Sequence, residues 1–329
     1  MRKVIFSIES WPTKAPFHIT GYTFTEARVL HVTITEKGAI GQGEATGVYY
    51  LNETADSMLA QAETVRELLE QGADRNTLQT LLPAGGARNA IDCALWDLEA
   101  KQTDTSIWAL TDITPGEIIT VNTVGIDTPQ AMAANAKILD SPKIKVKLNS
   151  EQPLERIQAV CMARPDAEIV VDVNQGWTFE QLTDLAPKFK ALGIAMIEQP
   201  LPRGGDKQLE DYQSPIPLCA DESCLDTREL EQAARRYQMI NIKLDKTGGL
   251  TEALRLAHQA KAKGLDLMVG NMLGTSLGMA PGFVVAQLCR FVDLDGPLFL
   301  KSDRDNSMSY MGGAVSPFSF KLWGQQYCL

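Results

Sequence analysis

Six charged residues close otherwise apolar runs: Lys147 after Ile144 and Val146, Asp172 after Val170-Val171, Glu198 after Met196-Ile197, Asp221 after Cys219-Ala220, Lys243 after Ile242, and Asp293 after Val292. Each is a costly place for a charge. Their separations are 25, 26, 23, 22 and 50 residues, the last being two steps of 25. That step is one strand plus one helix, so one charge recurs at the same point of successive βα units and the set forms a ring around one end of a barrel, where catalytic residues gather. A single charge there is more often a rim ion pair; six in register reverse those odds.

Asp172, Glu198 and Asp221 fall on neighbouring strands and would repel one another strongly unless a cation sat among them. A hard divalent ion, most simply Mg2+, resolves the conflict. Zinc would call for His or Cys ligands, and the three histidines (His18, His31, His258) are at none of these strand ends. Lys147 and Lys243 lie four strands apart in a ring of eight, hence across the mouth from each other. Two amines on opposite faces of one carbon suit a 1,1-proton transfer with inversion, one removing the proton and the other returning one to the far side. A carbon acid beside a carboxylate is very weak, and becomes accessible only if the metal stabilises the enediolate. Each lysine must be neutral to act as a base, and Mg2+ with the neighbouring Lys145 is expected to depress its pKa. Asp293 and Asp295, in the run Asp293-Leu294-Asp295-Gly296-Pro297, call for a cation at the far end of the substrate. A carboxylate on Mg2+, an acidic α-carbon between two lysines and an ammonium at the aspartate pair describe an amino acid derivative longer than one residue, a dipeptide. Taken alone, the Asp293-x-Asp295 pair is as readily a turn with an Asx cap.

The elements that must position this ring follow from Ile118 onward. Strands are expected at 119–124, 144–148, 168–173, 195–199, 217–221, 239–244, 266–270 and 291–294, with helices between them such as 153–164, 179–192, 228–237 and 250–263. Short apolar strands alternating with amphipathic helices predict parallel βαβ units, and eight strands close a barrel. The earlier chain reads otherwise. Alternation over 1–9 (Val4, Phe6, Ile8) and 27–36 (Leu30, Val32, Ile34) predicts an antiparallel start, and helical spacing predicts helices over 55–70 and 87–102. The fold class is α/β, with an α+β domain over 1–112, a barrel over 113–297 and a Ser-, Gly- and Asp-rich segment over 298–329 that folds back on the first domain. Asp245, Lys246 and Lys143 read as rim or solvated residues, and Gly248-Gly249 as a tight βα turn rather than a phosphate site. Trp96, Trp108 and Trp323 read as core or domain-interface residues.

Composition narrows the partners. Among 329 residues, 41 are acidic and 31 basic, a net charge of −10 that disfavours nucleic acid. The six cysteines (93, 161, 219, 224, 289, 328) include no C-x-x-C pair, so neither a zinc knuckle nor a disulfide framework is indicated. No apolar run approaches the ~20 residues of a membrane span, and no signal peptide is evident, so a cytoplasmic protein is expected. Association into a homo-oligomer is left open.

The motifs Lys145-Val146-Lys147, Val171-Asp172-Val173-Asn174, Ile197-Glu198-Gln199-Pro200, Ala220-Asp221-Glu222-Ser223 and Asn241-Ile242-Lys243-Leu244, with the aspartate pair, carry a resemblance that covers nearly the whole chain. The chain resembles the muconate-lactonising subgroup of the enolase superfamily, and within it the dipeptide epimerases of the L-Ala-D/L-Glu type. The resemblance implies a modified TIM barrel, (β/α)7β, under an N-terminal α+β capping domain whose loops, here around 20–25 and 48–53, close over the substrate. It implies Lys147, Lys243 and Lys145 as catalytic lysines, with Asp172, Glu198 and Asp221 on Mg2+. Thr123, Lys145, Asp293 and Asp295 would meet the dipeptide. Members acting on acidic dipeptides carry an arginine in the first capping loop, which here reads Thr20-Gly21-Tyr22-Thr23-Phe24-Thr25, with no arginine nearer than Arg28. Phe24, Tyr49 and Tyr50 would suit an apolar or aromatic residue. An N-succinylamino-acid racemase or o-succinylbenzoate synthase would keep the fold, but the far carboxylate of their substrates would meet Asp293 and Asp295. A Schiff-base aldolase would leave three acids without a role, and a non-catalytic metal-binding barrel would leave two lysines without one.

Overall fold

The computed structural model describes residues 1–19 and 21–325. Thr20 of the first capping loop and Cys328 lie outside the described residues. Lys3–Ile19, Tyr22–Glu36 and Ala39–Ala45 form an antiparallel sheet of three strands, the first two running well past the alternating stretches that signalled them to a turn at Gly21. Val4 faces Ile34, Phe6 faces Val32 and Ile8 faces Leu30 across the first pair. The apolar side of this sheet lies on the helix Gly86–Gln102, whose approach is close because Gly43 has no side chain: a Cβ there would lie 2.1 Å from the Ala90 carbonyl. The single helix expected over 55–70 is two, Ala55–Glu63 and Arg66–Glu70. At the break the Thr64 hydroxyl donates to the Gln61 carbonyl (2.6 Å) and the Val65 N–H to Ala62 (3.2 Å), a tightened turn that a β-branched pair favours over continued α-helix.

Eight strands form one parallel sheet in chain order: Asn122–Val124, Lys143–Lys147, Glu168–Asp172, Met196–Glu198, Leu218–Ala220, Met239–Lys243, Asp266–Gly270 and Phe291–Val292. The circle closes where the Val121 N–H donates to the Val292 carbonyl at 2.8 Å. Helices follow the strands, with only the 3-10 turn Lys207–Asp211 after the fourth, and none but a 3-10 turn, Gly296–Phe299, directly after the eighth. The expected first strand, 119–124, is divided. Ile118–Ile119 instead pairs with Ala314–Val315, which in turn pairs with Tyr310–Met311, because the C-terminal segment offers an edge outside the barrel.

Inside the barrel Val121, Val170, Met196, Cys219, Met239, Met268 and Phe291 pack into one apolar plug. Strand side chains alternate, so the residue two places further along points inward one layer higher. That step leads to Thr123, Asp172, Glu198, Asp221, Asn241, Gly270 and Asp293, joined by Lys145 from the second strand. Of the six residues inferred from spacing, Asp172, Glu198, Asp221 and Asp293 thus share one layer of the barrel, one pleat above an apolar floor, while Lys147 and Lys243 lie two residues beyond its members Lys145 and Asn241.

The C-terminal segment ties the capping sheet to the barrel. Arg304 lies 2.5 Å from Glu44 and 2.7 Å from Glu9 of the sheet, and buried Glu44 also accepts from the Thr275 N–H (2.8 Å) at the head of the helix Ser276–Ala286. Trp323 Nε1 donates to the Cys93 carbonyl (3.1 Å), and Trp96 Nε1 to Thr251 (2.9 Å) across the boundary of the two domains. Among the described residues no helix is long and apolar enough to cross a membrane. Replacing Arg304 by Met leaves Glu44 buried without its ion partner. It should lower the unfolding free energy by about 3 kcal/mol or more, and adding Glu44→Gln should restore part of it; unchanged denaturant midpoints would show that the tie contributes nothing.

Candidate active site

The three acids share one wiring. Asp172 Oδ1 accepts from the Asn174 N–H (2.9 Å), while its Oδ2 accepts from Lys147 (2.6 Å) and lies 3.0 Å from Lys145. Glu198 Oε1 accepts from Asn241 Nδ2 (2.6 Å), and its Oε2 lies 2.8 Å from Lys145. Asp221 Oδ1 accepts from Lys246 (2.7 Å) and its Oδ2 from Lys243 (2.6 Å). On every acid, one oxygen is pinned by a scaffold donor and the other is turned to one of the lysines the sequence singled out. Lys147 and Lys243 stand at the second and sixth strands, against different acids, on two sides of this cluster.

Lys145 is placed differently from expectation. Its ammonium is enclosed by Asp172 (3.0 Å), Glu198 (2.8 Å) and Asp293 (2.7 Å) and has almost no exposure. Burial pulls its pKa down, but those three acids outweigh burial and hold it well above the usual range. Its charge is therefore absorbed and does not act freely on Lys147. Lys243 is likewise raised, because the burial that would lower it is outweighed by Asp221. The mutual repulsion assumed for the acids is also relieved by these ammonium groups, and among the described residues no three His, Cys, Asp or Glu side chains meet at ligand spacing.

Two residues assigned to the rim are buried. Asp245 accepts from the Thr46 and Gly47 N–H groups (3.1 and 2.8 Å), which anchors the second capping loop to the barrel. Lys246 donates to the Asp221 carboxylate and carbonyl and to the Asn241 and Cys224 carbonyls, all within 3.1 Å. Nothing in the local pattern marks it: it falls three residues after Lys243, and the short helix Leu244–Thr247 turns it back beneath the strand ends. Lys143, at the opposite end of its strand, pairs with Glu168 at 3.3 Å, in keeping with a rim residue. Gly248-Gly249 is a tight turn: a Cβ on Gly249 would lie 2.4 Å from Asp92.

The scaffold contains residues that sequence reasoning passed over. Gln199, directly after Glu198 and fully buried, accepts from the Asp221 and Ser223 N–H groups (2.9 and 3.0 Å) and donates to the Leu201 carbonyl (2.8 Å). Its φ is +37°, and that of Asn174 is +45°, so both residues that follow the ligand-type strands hold left-handed backbone at a cost of about 1–3 kcal/mol each. Gln199 ties the end of the fourth strand to the end of the fifth.

Burial first, and then neighbouring acids, push Glu198 up, and Glu222 and Asp295 each to about 8. To burial is added a charge imbalance: among the described residues Asp172, Glu198, Asp221, Glu222, Asp293 and Asp295 are buried with four lysines, Lys145, Lys147, Lys243 and Lys246. Asp295 Oδ2 accepts from the Thr123 N–H (2.8 Å), which brings Thr123 to the aspartate pair. Over the mouth stand the capping aromatics: Tyr49 packs edge-on against Tyr22, Phe24 and Tyr50, with ring centroids 4.5, 5.3 and 5.2 Å apart. Tyr49 is close enough to Lys243, Glu222 and Asp221 to feel their charges. Arg28, the nearest arginine to the first loop, is engaged by Asp56 at 2.9 Å.

Gly270, in the same layer, leaves room for the Lys243 side chain. A Cβ there would lie 2.8 Å from the Asn241 amide and 2.9 Å from Lys243 Cε. Gly270→Ala should therefore leave the melting temperature nearly unchanged yet lower turnover about a hundredfold by displacing Lys243 and the amide that pins Glu198. Unaltered kcat would show that neither group needs its present position.

Family models match in two places: the mandelate racemase / muconate lactonizing enzyme N-terminal domain over residues 1–111 and the enolase C-terminal domain-like model over 129–297. The L-Ala-D/L-Glu epimerase of Escherichia coli K12 is 44% identical over 96% of this chain and 99% of its own. The N-acetyl-D-glutamate racemase of a Pseudoalteromonas species is 41% identical over 89% of this chain and 94% of its own. Among solved structures, an Agrobacterium tumefaciens enolase-family protein with homology to dipeptide epimerases, holding sodium and L-Ala-L-Glu, superposes with a TM-score of 0.96 at 39% identity, covering 98% of this chain and 100% of that one. The Enterococcus faecalis dipeptide epimerase, complexed with Mg and L-Leu-L-Tyr, superposes with a TM-score of 0.89 at 26% identity, covering 98% and 99%. With both domains matched and the identity extending end to end, the chain belongs to the mandelate racemase / muconate lactonizing enzyme family of the enolase superfamily.

Proposed function

We propose that this chain is a Mg2+-dependent dipeptide epimerase, an isomerase that inverts the α-carbon of the C-terminal residue of a dipeptide with a free amino terminus. The observation that carries it is the pair Lys147 and Lys243, each at the mouth and each on a different buried acid of one cluster. The acids suit Mg2+. Their donors are all oxygen, each offers one oxygen toward the lysines while the other is pinned, and the buried Glu198 Oε2 has the Lys145 ammonium beside it at 2.8 Å and no other donor among the described residues. A small set of carboxylate oxygens is the kind of donor set that suits Mg2+. Held by Asp172, Glu198 and Asp221, Mg2+ would supply positive charge against the substrate carboxylate as the α-proton leaves.

The rest is done by this chain's side chains. Lys147 or Lys243, released from its acid partner and neutral, takes the α-proton on its own face, and the electron pair of that C–H bond passes to the carbon and its carboxylate. The opposite lysine, protonated, returns a proton to the other face. Asp295, carrying the acid charge that Asp293 and burial disfavour, takes up the substrate ammonium, with Thr123 holding its orientation. The apolar floor and the capping aromatics exclude water. Phe24, packed on Tyr49, faces the C-terminal side chain, which we read as apolar or aromatic because the loop 20–25 holds no arginine in its sequence and Arg28 is paired with Asp56.

The similarity to an N-acetyl-D-glutamate racemase favours a second reading, an N-acylated amino acid as substrate, and one experiment separates the two. Free and N-acetylated dipeptides and N-acetylamino acids are incubated in D2O with Mg2+ or with excess EDTA and read by mass for α-deuterium. Free dipeptides ending in Phe, Tyr or Leu should exchange fastest. Acetylation should cost about 30-fold in kcat/KM, the scale for leaving a buried carboxylate without its partner. EDTA should abolish exchange. Full turnover in EDTA sinks the metal assignment, and equal rates for blocked and free amines sink the dipeptide reading.

The two-base geometry is tested separately. Lys147→Ala and Lys243→Ala should each lose epimerisation by at least about 10²–10⁴-fold, the usual contribution of a general base. Each should still wash deuterium into one epimer without inversion, and not the same one. If both exchange the same epimer, the lysines do not serve opposite faces.

A further inference from the structure

Lys246 has no part in the proton transfer, yet its ammonium is more completely buried than that of either base: its side chain is 0% exposed, against 10% for Lys147 and 7% for Lys243. It donates to four oxygens on two chain segments, the Asp221 carbonyl (2.6 Å) and Oδ1 (2.7 Å) and the Cys224 carbonyl (3.1 Å) of one turn, and the Asn241 carbonyl (2.8 Å) of the sixth strand. An ammonium has three protons, so every one is engaged and the group has no freedom to leave. Lys243, on the other oxygen of the same carboxylate, has a hydrogen-bond partner among the described residues only in Asp221 and must move to reach a substrate.

The two contacts are therefore unequal. When Lys243 turns to its task, Asp221 Oδ2 becomes available to a cation, whereas Oδ1 stays on Lys246. The other two acids follow the same rule, with Asp172 Oδ1 on the Asn174 N–H and Glu198 Oε1 on the Asn241 amide. Mg2+ prefers few, singly coordinating carboxylates in an octahedron. Ca2+ takes up more oxygens and accepts two from one carboxylate.

We infer that Lys246 is a positioning residue that limits Asp221 to one ligating oxygen and thereby biases the site toward Mg2+ over Ca2+. The inference rests on the metal-dependent reading above. It is tested by calorimetric titration of the metal-free, substrate-free enzyme with Mg2+ and with Ca2+, for the wild type and for Lys246→Met. The variant should gain Ca2+ affinity relative to Mg2+ by about tenfold, the scale of freeing one charged oxygen. An unchanged ratio overturns the inference alone, and a wild type that binds no Mg2+ overturns the metal-dependent reading with it. Because Lys246→Met strips four acceptors of their donor and could fail to fold, a measurement on the wild type decides independently. In enzyme labelled with 15N-lysine, the Lys246 ammonium signal should stay protected from exchange and unshifted on saturation with Mg2+, while that of Lys243 moves. A Lys246 signal that shifts or is lost on adding Mg2+ overturns the inference.

Discussion

Everything at the mouth of this barrel depends on one constraint: ten charged side chains are buried above an apolar floor, and none can be left without a partner. An unpaired carboxylate there would neutralise itself by taking a proton. The structure avoids this for Asp172 and Asp221, whose pKa values stay far below the usual range because Lys145 and Lys147, and Lys243 and Lys246, overcome the penalty of burial. It does not avoid it for Glu222 and Asp295, both pushed up to about 8. The acids exceed the ammonium groups, and in the proposed reading a cation and a cationic substrate would balance that surplus.

The lysines divide by mobility. Lys145 and Lys246 are locked by three and four acceptors and hold the acids in place. Lys147 and Lys243 carry fewer contacts and a little exposure, which is what a group needs if it must let go of a carboxylate to meet a carbon acid. Each of these two lysines rests on a buried acid, Lys147 on Asp172 and Lys243 on Asp221.

The capping domain completes the site by a small number of buried ties. Asp245 on the barrel holds Thr46 and Gly47, which places Tyr49 and Tyr50 over the ring, and the Arg304–Glu44 pair holds the sheet from which that loop departs. Aromatic rings meet the first loop edge-on, so the two loops close as one apolar surface rather than as separate flaps.

Spacing alone determined a great deal. One charge per βα unit placed Asp172, Glu198, Asp221, Lys147, Lys243 and Asp293 in one ring, since a parallel barrel turns a period along the chain into a circle in space. Alternation along each strand put the four acids in a single layer, with Lys147 and Lys243 one pleat beyond it. Local pattern could not reveal what sits beneath it. Lys246 and Asp245 look like surface charges in sequence, because a helical turn of four residues has no periodicity to read, and only the packed neighbours show that one points under the strand ends and the other into the capping loop. Gln199 and Gly270 went unremarked for the same reason: their importance lies in atoms contributed by other strands. The tertiary structure also decided how the acids are neutralised. Whether four ammonium groups or a dication relieves three carboxylates depends on distances of a few ångströms between residues some 25 positions apart, and no linear pattern contains those distances.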